Sequence, residues 1–312
     1  MSQRKLTDYF VLILKGMGMG AADVVPGVSG GTIAFITEIY EELINSIKSI
    51  NLKTISSLIK NGIRTFWKDL NGNFLVAVFG GIFISVFTLA NILDNLLQNH
   101  PIMVWSFFFG LIIASAVFIA GKIPRWNTSH IISLILGIIT AYFITEMTPA
   151  QTTEEYWFIF LSGALAICAM ILPGISGSFI LLLLGKYQFV LQAVNELNFT
   201  ILGILVAGAV VGLIAFSNVL SWLLKKFHNI TIAVLAGFMV GSLNKVWPWK
   251  ETVSYFTDSH GMKQPLVQNN VTPAVYEQVT GNSSFLFQAI IAAAAGIVLI
   301  VLLERVSSVK KR

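Results

Sequence analysis

Two short runs concentrate the residues able to do chemistry. The first is Pro26-Gly27-Val28-Ser29-Gly30-Gly31-Thr32 and the second is Pro173-Gly174-Ile175-Ser176-Gly177-Ser178. A helix cannot pass through Pro-Gly-x-Ser-Gly without losing backbone hydrogen bonds. Each run therefore ends one helix and opens another, whose first turn carries unpaired N–H donors and a partial positive charge. Glycine lets a ligand approach that backbone, and serine or threonine adds hydroxyl donors. The chemistry on offer is anion binding, with phosphate and carboxylate foremost. Candidate phosphate-binding residues are Ser29, Gly30, Gly31, Thr32, Ser176, Gly177 and Ser178, and the hairpin-breaking residues are Pro26, Gly27, Pro173 and Gly174. The plainer use of the same residues is close helix packing by glycine and capping by serine. Two symmetrically placed copies favour a ligand clasped between facing helix ends.

Four charged residues lie in or beside these breaks. Asp23 stands three residues before Pro26, where the second run has Met170. An acidic group in a membrane hairpin is costly and points to function. Ionised, it would repel a phosphate, so one reading is a protonatable coupling site. The other is a carboxylate bonded to N–H groups of its own loop. Glu38, whose counterpart is Gly185, is read as a solvated residue at a hairpin end beside Glu41 and Glu42. Lys15 and Lys186 could neutralise a bound anion as compact charges or snorkel to an interface.

Several enzyme signals fail. Gly27 to Gly31 fits G-x-S-x-G, but that pattern has meaning only on the strand-turn-helix of an α/β-hydrolase. His100, His130, His228 and His260 show no metal-ligand spacing with a carboxylate or cysteine, so no metal is expected. No Gly-Lys-Ser/Thr phosphate loop is present, and no cofactor is expected. Cys168, the single cysteine, excludes an intrachain disulfide.

The elements that must position these residues are membrane helices. Of 312 residues, 55% are hydrophobic and only 11% charged, against roughly 25% charged in a soluble domain. Apolar stretches of about 20 residues match a hydrocarbon core about 30 Å thick. Six full spans are predicted, near 74–93, 101–120, 128–147, 199–223, 228–246 and 285–304. Residues 6–48 and 156–197 each hold two apolar or amphipathic halves around a glycine-rich turn. A break of that kind survives in a bilayer only where protein or a water-filled cavity covers it, so both are read as re-entrant, broken-helix hairpins. The first apolar run, Tyr9 to Met19, contains Lys15 and leads to Asp23 and Pro26, which predicts no cleavable signal peptide.

The chain repeats. Pro26, Gly27, Ser29, Gly30 and Tyr40 recur 147 positions later as Pro173, Gly174, Ser176, Gly177 and Tyr187. Further on the offset is 127, with Gly81, Asn91, Gly110 and Ser115 matching Gly208, Asn218, Gly237 and Ser242. The difference fits a basic cytoplasmic insertion at 49–73. The expected fold is an all-α integral membrane protein of two repeats, 1–150 and 151–312, each a hairpin plus three transmembrane helices. An odd number of crossings per repeat makes the repeats inverted. Fifteen Lys and Arg residues fall on one side, including Arg4, Lys48, Lys122, Lys225 and the terminal Lys310, Lys311 and Arg312, against Lys245, Lys250 and Lys263 on the other. That asymmetry predicts both termini in the cytoplasm and the polar 247–284 loop outside. The net charge of +5 is thus spent on topology, not on nucleic acid. Trp67, Trp105, Trp126, Trp157, Trp222 and Trp247 lie near span ends, as an aromatic belt requires.

The run from Gly18 to Thr32, with Asp23 and Pro26 inside it, resembles the signature of the bacterial polyprenyl-phosphate transporter family. The second run from Leu172 to Ser178, the Gly237 to Ser242 stretch and Trp247-Pro-Trp249 resemble it too. The resemblance spans nearly the whole chain. It implies an inner-membrane carrier, not an enzyme, that returns undecaprenyl phosphate from the outer to the cytoplasmic leaflet for envelope polymers such as peptidoglycan. The implied partners are that lipid, the bilayer and, through Asp23, protons. Glu38 stands where the pattern would have glycine. Two alternatives stay open. One is an undecaprenyl-pyrophosphate phosphatase-like enzyme, although Gly30 and Gly177 replace the arginine such a hairpin carries. The other is a small-anion channel or exporter.

Overall fold

The computed structural model describes residues 4–25, 28–257 and 263–309. Pro26 and Gly27, and Lys310, Lys311 and Arg312 of the charge count, lie outside the described residues. The chain runs α1 (Leu6–Val24), α2 (Gly30–Ile36), α3 (Tyr40–Lys48), α4 (Leu52–Asp69), α5 (Gly72–Asn99), α6 (Pro101–Gly121) and α7 (Thr128–Glu146). It continues through α8 (Tyr156–Ile171), α9 (Gly177–Leu183), α10 (Tyr187–Asn195), α11 (Phe199–Lys226) and α12 (His228–Ser242). After β1 (Lys250–Thr257) and β2 (Lys263–Asn270) come α13 (Pro273–Thr280) and α14 (Leu286–Val309).

Five of these helices, α5, α6, α7, α11 and α14, are long and apolar enough to cross a membrane. The bent pair α9 and α10, turning through 108°, would be a sixth. The predicted span at 228–246 is shorter, since α12 stops at Ser242 and the chain turns there. Large apolar side chains such as Phe83, Phe87, Leu136, Val206, Ile290 and Leu302 point outward. A surface of this kind is solvated by hydrocarbon. The chain is a multi-pass membrane protein.

Without water in the bilayer, helices associate by close packing, and small residues at the crossings allow it. Gly16 and Gly20 of α1 lie on the Val78 and Ile82 backbone of α5, and Gly208 and Gly212 of α11 lie on Phe160 and Ala164 of α8. Gly137 of α7 meets Gly237 of α12, while Gly110 of α6 and Gly296 of α14 seat on each other's helix. A methyl group added to Gly16, Gly110, Gly137 or Gly208 would lie within 2.4 Å of a carbonyl oxygen of the partner helix.

The backbone repeats more closely than the residues do. Val25 (φ −85°, ψ 117°) and Leu172 (−70°, 133°) close α1 and α8, and Ser29 (−125°, 136°) and Ser176 (−99°, 146°) open α2 and α9. Ile39 (−106°, −2°) and Lys186 (−104°, −7°) open α3 and α10. His100 (−136°, 49°) and Phe227 (−131°, 47°), unlike side chains 127 residues apart, make the same turn between α5 and α6 and between α11 and α12.

Two regions depart from expectation. The basic 49–73 segment is an amphipathic helix, α4, broken at Gly62 (φ 77°, ψ 170°) and opened by Asn51, whose side chain accepts the Lys53 and Thr54 N–H groups. The polar 247–284 loop is not irregular: β1 and β2 form an antiparallel hairpin followed by α13. The all-helical expectation is corrected there. Outside the bilayer a strand pair can leave its edges to water, which it could not do in lipid. Trp105 and Trp247 belong to this cap and not to a lipid-facing belt. Trp247 donates from Nε1 to the Val271 carbonyl at 2.8 Å and its ring stands edge-on to Trp249, which donates to the Ser284 carbonyl at 2.9 Å. Trp67, Trp126, Trp157 and Trp222 remain outward-facing.

Candidate functional site

Each hairpin descends through a helix of 16 or 19 residues and returns through one of seven. At 1.5 Å per residue the short arm climbs only about 10 Å, too short to cross an apolar layer about 30 Å thick by itself. A break shielded from water must satisfy its backbone donors and acceptors within the protein.

The two hairpins supply partners for each other. α8 ends with unpaired carbonyls, as any helix does. Ser29 donates its hydroxyl to the Met170 carbonyl at 2.8 Å, and Tyr40 donates to the Ile171 carbonyl at 3.2 Å. In the other direction the Gly174 N–H donates to Thr32 Oγ1 at 3.1 Å. Gly31 presses on the Ile171 carbonyl, where a Cβ would lie at 2.4 Å. Gly174 holds φ +92° and leaves room for Ser242 of α12, whose Oγ would lie 2.6 Å from an added Cβ. Only glycine serves both needs at that position. Ser29, Thr32 and Ser176 are buried.

The first turn of α2 is occupied by its own chain. Ser29 Oγ accepts the Gly31 N–H at 3.0 Å, and Asp23 Oδ1 accepts the Gly30 N–H at 2.7 Å. Gly30 is needed because a Cβ would strike Asp23 Oδ2 at 2.5 Å. Asp23 thus takes the bonded arrangement of the two considered for it, a carboxyl group capping a helix N-terminus. At α9, Ser176 Oγ accepts the Phe179 N–H and lies 3.3 Å from Ser178 Oγ. Met170 stands where Asp23 stands in the first hairpin, so no carboxylate caps α9. Gly177 and Ser178 are half-buried. The two tips share a backbone path and differ in the side chains that cap them.

The structure brings Ser29, Gly30, Gly31, Thr32, Asp23 and Gly174 to one junction, with Ser176, Gly177 and Ser178 at the head of the adjoining α9. It leaves the other charged candidates away from it. Lys15 Nζ donates to the Thr37 carbonyl at 2.6 Å, at the far end of α2 from Ser29. Lys186 is buried, donates to the Thr152 carbonyl at 3.1 Å and lies over the rings of Phe158 and Phe189. Neither lysine is at a hairpin tip. Glu38 is paired rather than solvated, 3.2 Å from Lys122 Nζ, and holds φ +59°, matching φ +64° at its counterpart Gly185. The turn after each half-helix needs the left-handed conformation, which is why glycine is expected there.

Sequence reasoning missed some pairings. His228 lies 3.7 Å from Glu41, although their spacing in the chain gives no hint of it. Among the described residues no cluster of three metal-ligating side chains forms. Tyr40 was visible as a repeated residue, but not as the donor that closes α8.

Residues 19–264 match the family described as undecaprenyl phosphate translocase-like. The chain belongs to that family. It is 47% identical over 301 residues to the polyprenyl-phosphate transporter of Vibrio cholerae serotype O1, covering 96% of this chain and 98% of that one. It is 37% identical over 258 residues to the polyprenyl-phosphate transporter of Staphylococcus aureus, covering 77% of this chain and 86% of that one. No solved structure matches the chain.

Proposed function

We propose that this protein carries polyprenyl phosphate, undecaprenyl phosphate above all, from the outer to the cytoplasmic leaflet of the bacterial inner membrane. The observation that carries the reading is the junction of two helix breaks among apolar helices, built of N–H and hydroxyl donors. The names of its relatives supply the substrate class. A phosphate head needs a polar clasp, while a long isoprenyl tail can stay in lipid.

The repeated dihedrals and glycine crossings support two inverted repeats, 1–150 and 151–312, related about the junction. The ion pairs of Arg4 with Glu42, Lys122 with Glu38 and His228 with Glu41 gather at one end. The basic majority at that end argues for cytoplasmic termini.

In this mechanism the phosphate enters between the tips, held by Ser29, Gly30, Gly31, Thr32, Ser176, Gly177 and Ser178, with Pro26, Gly27, Pro173 and Gly174 keeping the breaks open. The Asp23 carboxylate and a phosphate oxygen compete for the same Gly30 N–H. Protonating Asp23 removes its charge and frees that donor, which couples inward movement to protons. The halves then rock about the junction to release the head inward. The paired Ser29→Ala and Ser176→Ala substitutions should weaken binding of a short-chain isoprenyl phosphate about thirtyfold, since each removes a donor worth about 1 kcal/mol. Wild-type affinity in a double variant that unfolds normally would refute the clasp.

A further inference from the structure

At the opposite end from the basic majority, a narrow cleft lies between the end of α7, the turn after α12 and the β-hairpin. It is lined by Thr145, Glu146, Asn244, Lys245, Lys250 and Asn270. Two ammonium groups share it. Lys250 Nζ donates to the Lys245 carbonyl at 2.6 Å and stands 4.3 Å over the Trp105 ring. Lys245 Nζ stands 4.5 Å over the ring of Phe179. Phe179 is the residue after Ser178, so Lys245 reaches from the cap to the head of α9. Ser242, one turn earlier, touches Gly174 in the same tip. The cleft and the second hairpin are thus joined through Lys245 and Ser242, three residues apart in the chain.

The charges in the cleft do not balance. Glu146 is the one acid that lines it, and its Oε1 already accepts from Asn244 Nδ2 at 2.6 Å. Asn270 is likewise committed, donating to the Asn244 carbonyl at 2.8 Å. Among the described residues Lys245 Nζ makes no hydrogen bond. It stands over the Phe179 face and, at longer range, feels the Glu146 charge. Burial and the neighbouring Lys245 charge push the Lys250 ammonium down to about 7. Aromatic faces attract cations but do not neutralise them. Two lysines crowded over rings share one acid, so when both are protonated the cleft carries an excess positive charge that a phosphate monoester would offset.

We propose that Lys245 and Lys250 form a docking station for a phosphate monoester headgroup, which holds it at the cap end before it passes to the tip of α9. The station rests on the carrier reading for the identity of the lipid, but not for its anion chemistry. The cleft is narrow, so the headgroup enters as Lys245 swings from Phe179 toward it, uncovering the approach to Ser178.

The test uses the full-length protein in detergent, with farnesyl monophosphate, farnesol and inorganic phosphate as probes and 31P line broadening and thermal shift as readouts. Lys245→Gln and Lys250→Gln should each weaken farnesyl phosphate binding about tenfold or more, Lys250→Arg should retain it, and farnesol should show no dependence on either lysine. Lys245 is less deeply buried than Lys250 and makes no hydrogen bond from Nζ among the described residues, so its variant keeps the test available if Lys250→Gln fails to fold. Wild-type affinity in Lys245→Gln would overturn the proposal. Lysine-dependent binding of inorganic phosphate without binding of farnesyl phosphate would overturn it as a lipid station. The two proposals fail differently. Lysine-dependent capture without translocation sinks the carrier reading alone, and unaltered capture in lysine variants of an active carrier sinks the station alone.

Discussion

Gly31→Ala places the smallest possible side chain between the two hairpins. The new Cβ would lie 2.4 Å from the Ile171 carbonyl oxygen, about 1 Å inside ordinary contact. The obstacle is backbone, so α2 must retreat by roughly that distance. The overpacking costs about 1–3 kcal/mol, and alanine returns up to about 1 kcal/mol of helix propensity. The net loss of about 1–2 kcal/mol leaves the protein folded. Function should suffer more. A retreat of 1 Å stretches the Ser29–Met170 bond at 2.8 Å and the Gly174–Thr32 bond at 3.1 Å beyond hydrogen-bonding range. Losing two bonds of about 1 kcal/mol each at the junction lowers transport about tenfold or more. Gly80→Ala is the control, because nothing lies within 4 Å of its Cβ position in α5. It should transport normally and melt no lower than wild type. The assay is leaflet-to-leaflet transfer of polyprenyl phosphate in liposomes, beside a thermal melt of each variant. Normal transport by Gly31→Ala would show that the contact between hairpins carries no function.

Three further outcomes follow from particular contacts. Glu38→Gly should be neutral or stabilising by up to about 1 kcal/mol in a thermal melt, because relief of the left-handed conformation offsets a surface ion pair. Gly185→Ala, on the same backbone but with its Cβ position 2.3 Å from the Ala150 carbonyl oxygen, should cost about 2 kcal/mol or more; equal effects would refute the turn argument. Binding of farnesyl phosphate should weaken as pH rises through about 7, where Lys250 loses its proton beside Lys245 and Glu146. The lowered Lys250 value also makes folding less stable below about pH 7 than in mild alkali, a cost that a bound phosphate relieves by favouring the charged lysine. Lys250→Arg should abolish that limb of the binding profile, and a profile unchanged by the substitution would remove Lys250 from it. Asp23→Asn keeps an acceptor for the Gly30 N–H but no titrating charge, so transport should persist with its pH dependence flattened; an unchanged pH profile would acquit Asp23 of coupling.

The breaks were legible because proline and glycine act on the backbone locally, and Pro-Gly-x-Ser-Gly has few other uses in an apolar chain. The recurrence of those residues at fixed offsets was legible from their spacing. The identical turns at His100 and Phe227 were not, since backbone shape is kept there by unlike side chains. Pairing was the least visible level. Gly110 and Gly237 were recognised as counterparts, yet each packs on a helix of the opposite repeat region, Gly110 on α14 and Gly237 on α7. A glycine announces a close approach and says nothing of the partner. Lys245 and Lys250 were counted only as charges that set topology, because lone lysines beside a span usually do no more. Their difference lies in the Trp247-Pro-Trp249 segment, which folds them back over Trp105 and Phe179. Asp23 was singled out by the cost of an acid in an apolar hairpin, but its bond to the Gly30 N–H of its own loop depended on geometry the sequence does not show.

The most direct test is reconstitution of the purified protein in liposomes, with transfer of polyprenyl phosphate between leaflets and release of phosphate from polyprenyl pyrophosphate measured on the same sample. The carrier account predicts protein-dependent transfer, reduced in Gly31→Ala, and no phosphate release. Phosphate release, or the absence of transfer by protein shown to be folded, would contradict it.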